Sequence, residues 1–117
     1  MSLPAAAPAP AEASDGAAAA WDGELQRFEL ALRRRGLSDA TRRAYLNDLG
    51  QLAAWSTAQS FTRQDLELKH LRRWAQSLSG DGLSATSLAR KIASVRSFYA
   101  TLVEREEVPQ NIAELLT

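Results

Sequence analysis

From Trp21 onward the apolar residues recur at intervals of three and four, the spacing of an amphipathic helix. No stretch alternates, or gathers β-branched residues, as a strand would. The predicted fold class is all-α. A first helix is expected over about 22–35, with Trp21, Leu25, Phe28 and Leu32 on one stripe and Gly36 just past its end. Ser38 caps a second helix reaching about Thr57, whose inner face carries Thr41, Tyr45, Leu49, Leu52 and Ser56. After a polar loop over 58–67, a third helix over about 68–79 buries Leu71, Trp74, Ala75 and Leu78. It stops at Ser79-Gly80-Asp81-Gly82. Ser84 caps the longest helix, about 85–106, with Leu88, Ile92, Val95, Tyr99 and Leu102 as its seam; Pro109 ends that run, and 112–116 adds a short fifth helix. Gly36-Leu37-Ser38 is echoed by Gly82-Leu83-Ser84, so the bundle of four to five helices is expected as two helical hairpins in succession.

Residues 1–20 contain ten alanines, three of the four prolines and no aromatic. Such a leader cannot offset the entropy of ordering itself and is expected to be disordered. The folded unit is then one domain over 21–117. Without cysteine there is no disulfide framework, thiolate zinc site or cysteine nucleophile. No apolar run approaches the roughly 20 residues that span a bilayer, and residues 1–16 lack the layout of a signal peptide. A cytoplasmic protein with no membrane partner is expected.

The formal charge is zero, which at first argues against a nucleic-acid partner. Its distribution says otherwise. Residues 1–32 hold one base against five acids, residues 33–96 twelve bases against five acids, and residues 97–117 one base against four acids, giving −4, +7 and −3. Arginine outnumbers lysine twelve to two, which supplies planar forks suited to phosphates and guanine edges. At 100° per residue, Arg43 and Asn47 lie almost opposite the Tyr45/Leu49/Leu52 seam, and Thr86, Arg90, Ala93 and Ser97 lie opposite the seam of the last helix. Each of these helices presents an uncapped N-terminal dipole beside a hydroxyl, with a basic residue one turn further in, a suitable place for a phosphate. The competing reading is a solvated charged face formed by Arg42, Arg43, Arg90 and Lys91.

These residues also resemble a known family. Ser38-Asp39-Ala40-Thr41-Arg42-Arg43-Ala44-Tyr45-Leu46-Asn47-Asp48-Leu49, followed by Leu52 and Trp55, resembles a signature helix of the tyrosine recombinases, in particular their XerC/XerD branch. Leu83-Ser84-Ala85-Thr86-Ser87-Leu88-Ala89-Arg90-Lys91-Ile92-Ala93-Ser94-Val95-Arg96-Ser97-Phe98-Tyr99, then Leu102, resembles its second signature. One departure is that the family often has Asn-Pro after this helix, whereas here Pro109 precedes Asn111-Ile112. The resemblance implies the amino-terminal core-binding, or SAM-like, domain of a phage-integrase-type recombinase. Its partners would be one half-site of a double-stranded recombination site and neighbouring recombinase protomers. Carried over by position, Ser38, Thr41 and Arg43 would touch DNA from the second helix and Thr86, Ser87, Arg90 and Lys91 from the fourth; Arg42 and Asn47 complete the candidate DNA-binding set.

No catalytic residue, metal site or cofactor is expected in this stretch. His70-Leu71-Arg72-Arg73 imitates the H-x-x-R spacing of the recombinase catalytic box, but Leu71 sits on core spacing and Tyr45 and Tyr99 fall on core seams. The family's tyrosine nucleophile belongs to a later domain, and the chain reaches Thr117 before such a domain could begin. Two other functions fit an all-α domain. One is a helical protein-interaction module using Leu30 and the acidic stretch Glu104 to Glu107. The other is a helix-turn-helix regulator, disfavoured by a third connection expected to exceed that motif's tight turn and by a long fourth helix.

Overall fold

The computed structural model describes the backbone of residues 10–116 and the side chains of residues 15–116. Four α-helices follow in order: α1 (Pro10–Arg34), α2 (Asp39–Ala58), α3 (Leu68–Gly80) and α4 (Ala85–Glu104). Short 3₁₀ turns occupy Arg63–Asp65 and Ile112–Leu115. No strand occurs among the described residues, and the all-α expectation holds.

The two connectors repeat in structure as in sequence. Gly36 and Gly82 sit at φ +73° and +87°, the left-handed conformation that costs a side-chain-bearing residue most. Leu37 N donates to the Leu32 carbonyl at 3.4 Å and Leu83 N to the Leu78 carbonyl at 3.1 Å, the long bond of a Schellman helix end. Ser38 and Ser84 then adopt nearly the same extended geometry and cap α2 and α4 by accepting from Thr41 N and Ser87 N. The α3–α4 connection, residues 81–84, is four residues long. That lies within the range of a helix-turn-helix turn, so connection length does not exclude that motif. The 20-residue length of α4 is what separates the two.

Helix α4 is the centre of the bundle, touching α1, α2, α3 and the Ile112–Leu115 turn. The predicted seam is correct as far as it goes: Ile92, Val95, Tyr99 and Leu102 are buried. Phe98 lies off that seam, yet it is buried against Trp21, with ring centroids 6.1 Å apart, and edge-on to Phe28 and Tyr99 at 5.4 Å each. A helix enclosed on three sides buries more than one stripe, and Lys91, Ser94 and Thr101 go inside with Phe98.

The helix expected to start near Asp22 begins at Pro10, so residues 10–20 are not the unstructured leader the composition suggests; residues 1–9 lie outside the described residues. Alanine is the strongest helix former, and Ala17 is buried at 3% exposure. The loop over 58–67 likewise packs down. Trp21 Nε1 donates to the Phe61 carbonyl at 3.0 Å, and the buried Arg63 donates through Nε to Glu24 Oε1 at 3.3 Å. At the carboxyl end, Arg96 donates to the carbonyls of Ala113 and Leu116 while Asn111 Nδ2 donates to the Arg96 carbonyl, fastening the last turn to α4.

A pair of glycine substitutions of opposite sign tests the connector. An added Cβ meets nothing within 4 Å at Gly82 or at Gly50, in mid-α2, so only backbone preference decides. Gly82→Ala is expected to destabilise by about 1 kcal/mol, and Gly50→Ala to stabilise by roughly 0.5–1 kcal/mol, both measured by urea unfolding.

Candidate nucleic-acid interface

α2 and α4 meet at one carboxylate. Asp48 is fully buried. Its Oδ2 accepts from Arg90 Nη1 and from Ser94 Oγ, each at 2.6 Å, and its Oδ1 accepts from Lys91 Nζ at 3.1 Å. Lys91 Nζ also donates to Gln51 Oε1. Taking a carboxylate out of water is costly unless it is paired and hydrogen-bonded; here two cations and a hydroxyl do so. All three donors come from one turn of α4, so the polar cluster specifies which turn of α4 lies against Asp48.

The same cluster divides the two basic residues. Arg90 places one terminal nitrogen on Asp48 and remains 49% exposed, while the Lys91 side chain is 7% exposed. One step along a helix rotates a side chain by about 100°, enough to carry it from the outer face into the α2–α4 seam. Lys91 therefore does not belong to an outward contact set.

Other candidates are also sorted. Arg42 is 20% exposed and bonded to the Leu37 carbonyl at 2.7 Å and to Asp39, so it fastens the α1–α2 connector. Ser38 Oγ accepts from Thr41 N at 3.2 Å and donates to Thr41 Oγ1 at 3.0 Å; Ser84 and Ser87 make the same pair of bonds at the same distances. Ser38 and Ser84 are thus the caps their positions predict, and the N-terminal dipoles of α2 and α4 are not left uncapped for a phosphate. Arg43, Asn47, Thr86 and Ala93 are exposed, on the outward faces the helical wheel assigns to them. Ser97 is half-buried, accepting from Arg35 Nη1 at 3.4 Å.

What remains outward of the candidate set is Arg43 and Asn47 on α2 and Thr86, Arg90 and Ala93 on α4, with Arg43 beside Glu29 and Arg33 of α1. The polar positions missed from sequence, Asp48 and Ser94, carried a usable signal. Asp48 lies one turn before the buried Leu52, and Ser94 one turn after Arg90.

The basic middle block is partly committed inside the fold. Arg63 pairs with Glu24, Arg96 with backbone carbonyls, Arg90 and Lys91 with Asp48, Arg33 with Glu29, Arg35 with Glu104 and Lys69 with Glu67. Among the described residues, the side chains of Arg34, Arg43, Arg72 and Arg73 make no ion pair or hydrogen bond, and all four residues are exposed.

The residues that imitate catalytic ones have structural roles. His70 Nδ1 accepts from Glu67 N at 2.9 Å and its ring lies 4.7 Å from that of Phe61; Leu71 is in the core. Tyr99 is 2% exposed, and its hydroxyl meets no partner among the described residues. Burial pushes its ionisation above the ordinary phenol range; Arg63 opposes that rise and Glu24 adds to it. Among the described residues no helix is long and apolar enough to cross a membrane.

This geometry sits in a stretch of sequence with known relatives. Residues 25–106 match the family described as Phage integrase, N-terminal SAM-like domain. The chain belongs to this family. Over 95 residues it is 36% identical to Tyrosine recombinase XerD of Chlorobaculum tepidum, a match covering 80% of this chain and 31% of that protein. Over 97 residues it is 38% identical to Tyrosine recombinase XerC of Pelobacter propionicus, covering 80% and 32%, and over 67 residues 42% identical to Tyrosine recombinase XerC of Mycobacterium leprae, covering 57% and 23%. The chain thus spans about a third or less of the curated relatives it matches. No solved structure matches it.

The buried tyrosine gives a pH test. Because folding raises the Tyr99 ionisation above the ordinary value of 10.0, its contribution is fully present below that pH. It is lost as pH rises further, since the unfolded chain gives up the proton first. Alkaline unfolding followed by circular dichroism is expected to begin at higher pH in Tyr99→Phe than in the wild type; an unchanged onset would show that Tyr99 does not drive it.

Proposed function

We propose that this domain binds one half-site of a duplex recombination site, with the N-terminal halves of α2 and α4 against the major groove, as part of a site-specific tyrosine recombinase. The observation that carries this reading is the Asp48 crossing: it joins the two helices while Arg43 and Asn47 stay outward on α2 and Thr86 and Arg90 on α4. Ala93 keeps the α4 surface low between them, so a groove wall can approach closely. Family membership and the recombinase relatives support the same reading.

Within that role the segment is non-catalytic. It positions the duplex, and strand cleavage belongs to another part of the recombinase. Arginine forks on phosphates supply affinity and register, and contacts to base edges supply sequence preference.

A neighbouring protomer is the second partner. Leu30 at 52% exposure and Val103 at 36% are large apolar side chains left uncovered on α1 and α4. Glu104, Glu106 and Glu107, adjoining Val103, line the same end of the helix, which turns the acidic end of α4 away from a phosphate surface.

A salt titration tests the duplex reading. With Arg43 and Arg90 on phosphates, and the unpaired Arg34, Arg72 and Arg73 adding to the field, log K is expected to fall against log salt with a slope between about −2 and −4. Arg43→Ala is expected to reduce that slope by about 1. Arg105→Ala, which removes a guanidinium that donates to the Arg27 carbonyl at 3.0 Å, is expected to leave it unchanged. Fluorescence anisotropy on a half-site duplex reads both; equal losses for the two variants, or a salt-independent response, would remove the α2–α4 face as the contact.

A further inference from the structure

The Asp48 cluster holds two positive charges against one negative. We propose that the buried Lys91 balances the charge of Asp48, so that Arg90 is held in place by Asp48 yet keeps its own positive charge for a DNA phosphate. Lys91 is then a positioning and charge-balancing residue that never touches the ligand. This inference rests on the duplex reading and assigns to a buried residue a share of the binding energy.

The geometry behind it is direct. Lys91 Nζ lies 3.1 Å from Asp48 Oδ1, and Arg90 Nη1 lies 2.6 Å from Oδ2; the two cations take opposite oxygens of one carboxylate. The Lys91 side chain is 7% exposed and also donates to Gln51 Oε1, so no phosphate can reach it. The Arg90 side chain is 49% exposed, with part of its fork facing solvent. An arginine paired with a carboxylate and nothing else would present a phosphate with a nearly neutral pair, the negative member close behind. With Lys91 inside, the cluster carries a net charge of +1, and the solvent-facing member is the arginine. Ser94 Oγ on the same Asp48 oxygen at 2.6 Å fixes that oxygen, and through it the direction in which Arg90 leaves the helix. An arginine fork already oriented loses less rotamer freedom on meeting a phosphate than one free to swing.

The test is a charge rescue at a site the ligand cannot touch. Wild type, Arg90→Ala, Lys91→Met and the double variant Asp48→Asn/Lys91→Met, all as the full 117-residue chain, are titrated with a fluorescent mixed-sequence duplex at several salt concentrations. Thermal melts establish the folded fraction of each. Lys91→Met keeps the length of the side chain while removing its charge. It is expected to weaken binding several-fold and to lower the salt slope by about 1, as Arg90→Ala does. Asp48→Asn/Lys91→Met restores the net positive charge, with Arg90 still able to donate to the side-chain amide carbonyl introduced at position 48, and is expected to recover most of the affinity and slope. If the folded Lys91→Met variant binds as the wild type does, or if the double variant binds no better than Lys91→Met, the charge-balancing role is wrong. A wild-type chain that ignores the duplex at every salt concentration overturns the duplex reading and this inference together. Binding unaffected by Arg90→Ala overturns the inference alone.

Discussion

The contact on which the rest of this domain depends is the burial of a single carboxylate, Asp48, between α2 and α4. Apolar packing by itself leaves two helices free to slide by a turn, because one leucine fits a gap much as another does. A fully buried carboxylate is different: it must find its donors, and only one turn of α4 supplies Arg90, Lys91 and Ser94 together. Sliding would leave a charge in the core unpaired, at a cost of about 3–5 kcal/mol when one partner of a buried pair is lost. Such a cluster contributes register more securely than net stability. Register is what a surface made from two helices requires.

The two connectors deliver α2 and α4 to that crossing in the same way. Left-handed Gly36 and Gly82, each followed by a leucine and a capping serine, turn the chain so that the first turn of each following helix is fixed by its own hydroxyl bonds. The remaining elements brace the arrangement from behind. α1 and the Arg63–Asp65 turn are joined through the Arg63–Glu24 bond and the Trp21–Phe61 bond, and Arg96 fastens the last turn to the back of α4.

Most of the fold is legible in the sequence because helix periodicity and cap chemistry are local. Gly36, Ser38, Gly82 and Ser84 mark the helix ends to within a residue or two, and the Leu49/Leu52 and Val95/Tyr99/Leu102 seams are correct. What is not legible is tertiary. Phe98, Ser94 and Lys91 are outside the single stripe assigned to α4, and the packing of three neighbours around that helix widens its buried face to include them. Lys91 and Arg42 read as outward bases because charge is usually solvated, although Lys91 stands three residues after Leu88 and four before Val95, and Arg42 three before Tyr45 and seven before Leu49; the spacing hints at burial, and only the packing supplies the partners, Asp48 and the Leu37 carbonyl. The alanine-rich start of α1 misleads for a related reason, since composition argues disorder while Ala17 finds a buried place. The candidate interface is accordingly half legible: Arg43, Asn47, Thr86 and Arg90 stand where the helical wheel puts them, and the residue that organises them reads only as part of a motif.

The zero net charge now has a physical division. Several bases of the middle block are used internally, leaving a few uncommitted arginines and the Arg90 side of the Asp48 cluster facing outward, with the acidic residues after Val103 at the far end of α4. Amide chemical-shift changes on adding a duplex to the isotopically labelled chain test this division of charge and the α2–α4 face together. Perturbations are expected to concentrate in residues 38–47 and 84–93, with Leu30 and Glu104 to Glu107 unmoved. Perturbations centred on Leu30 and the acidic stretch, with α2 and the start of α4 silent, would contradict the α2–α4 face as the contact.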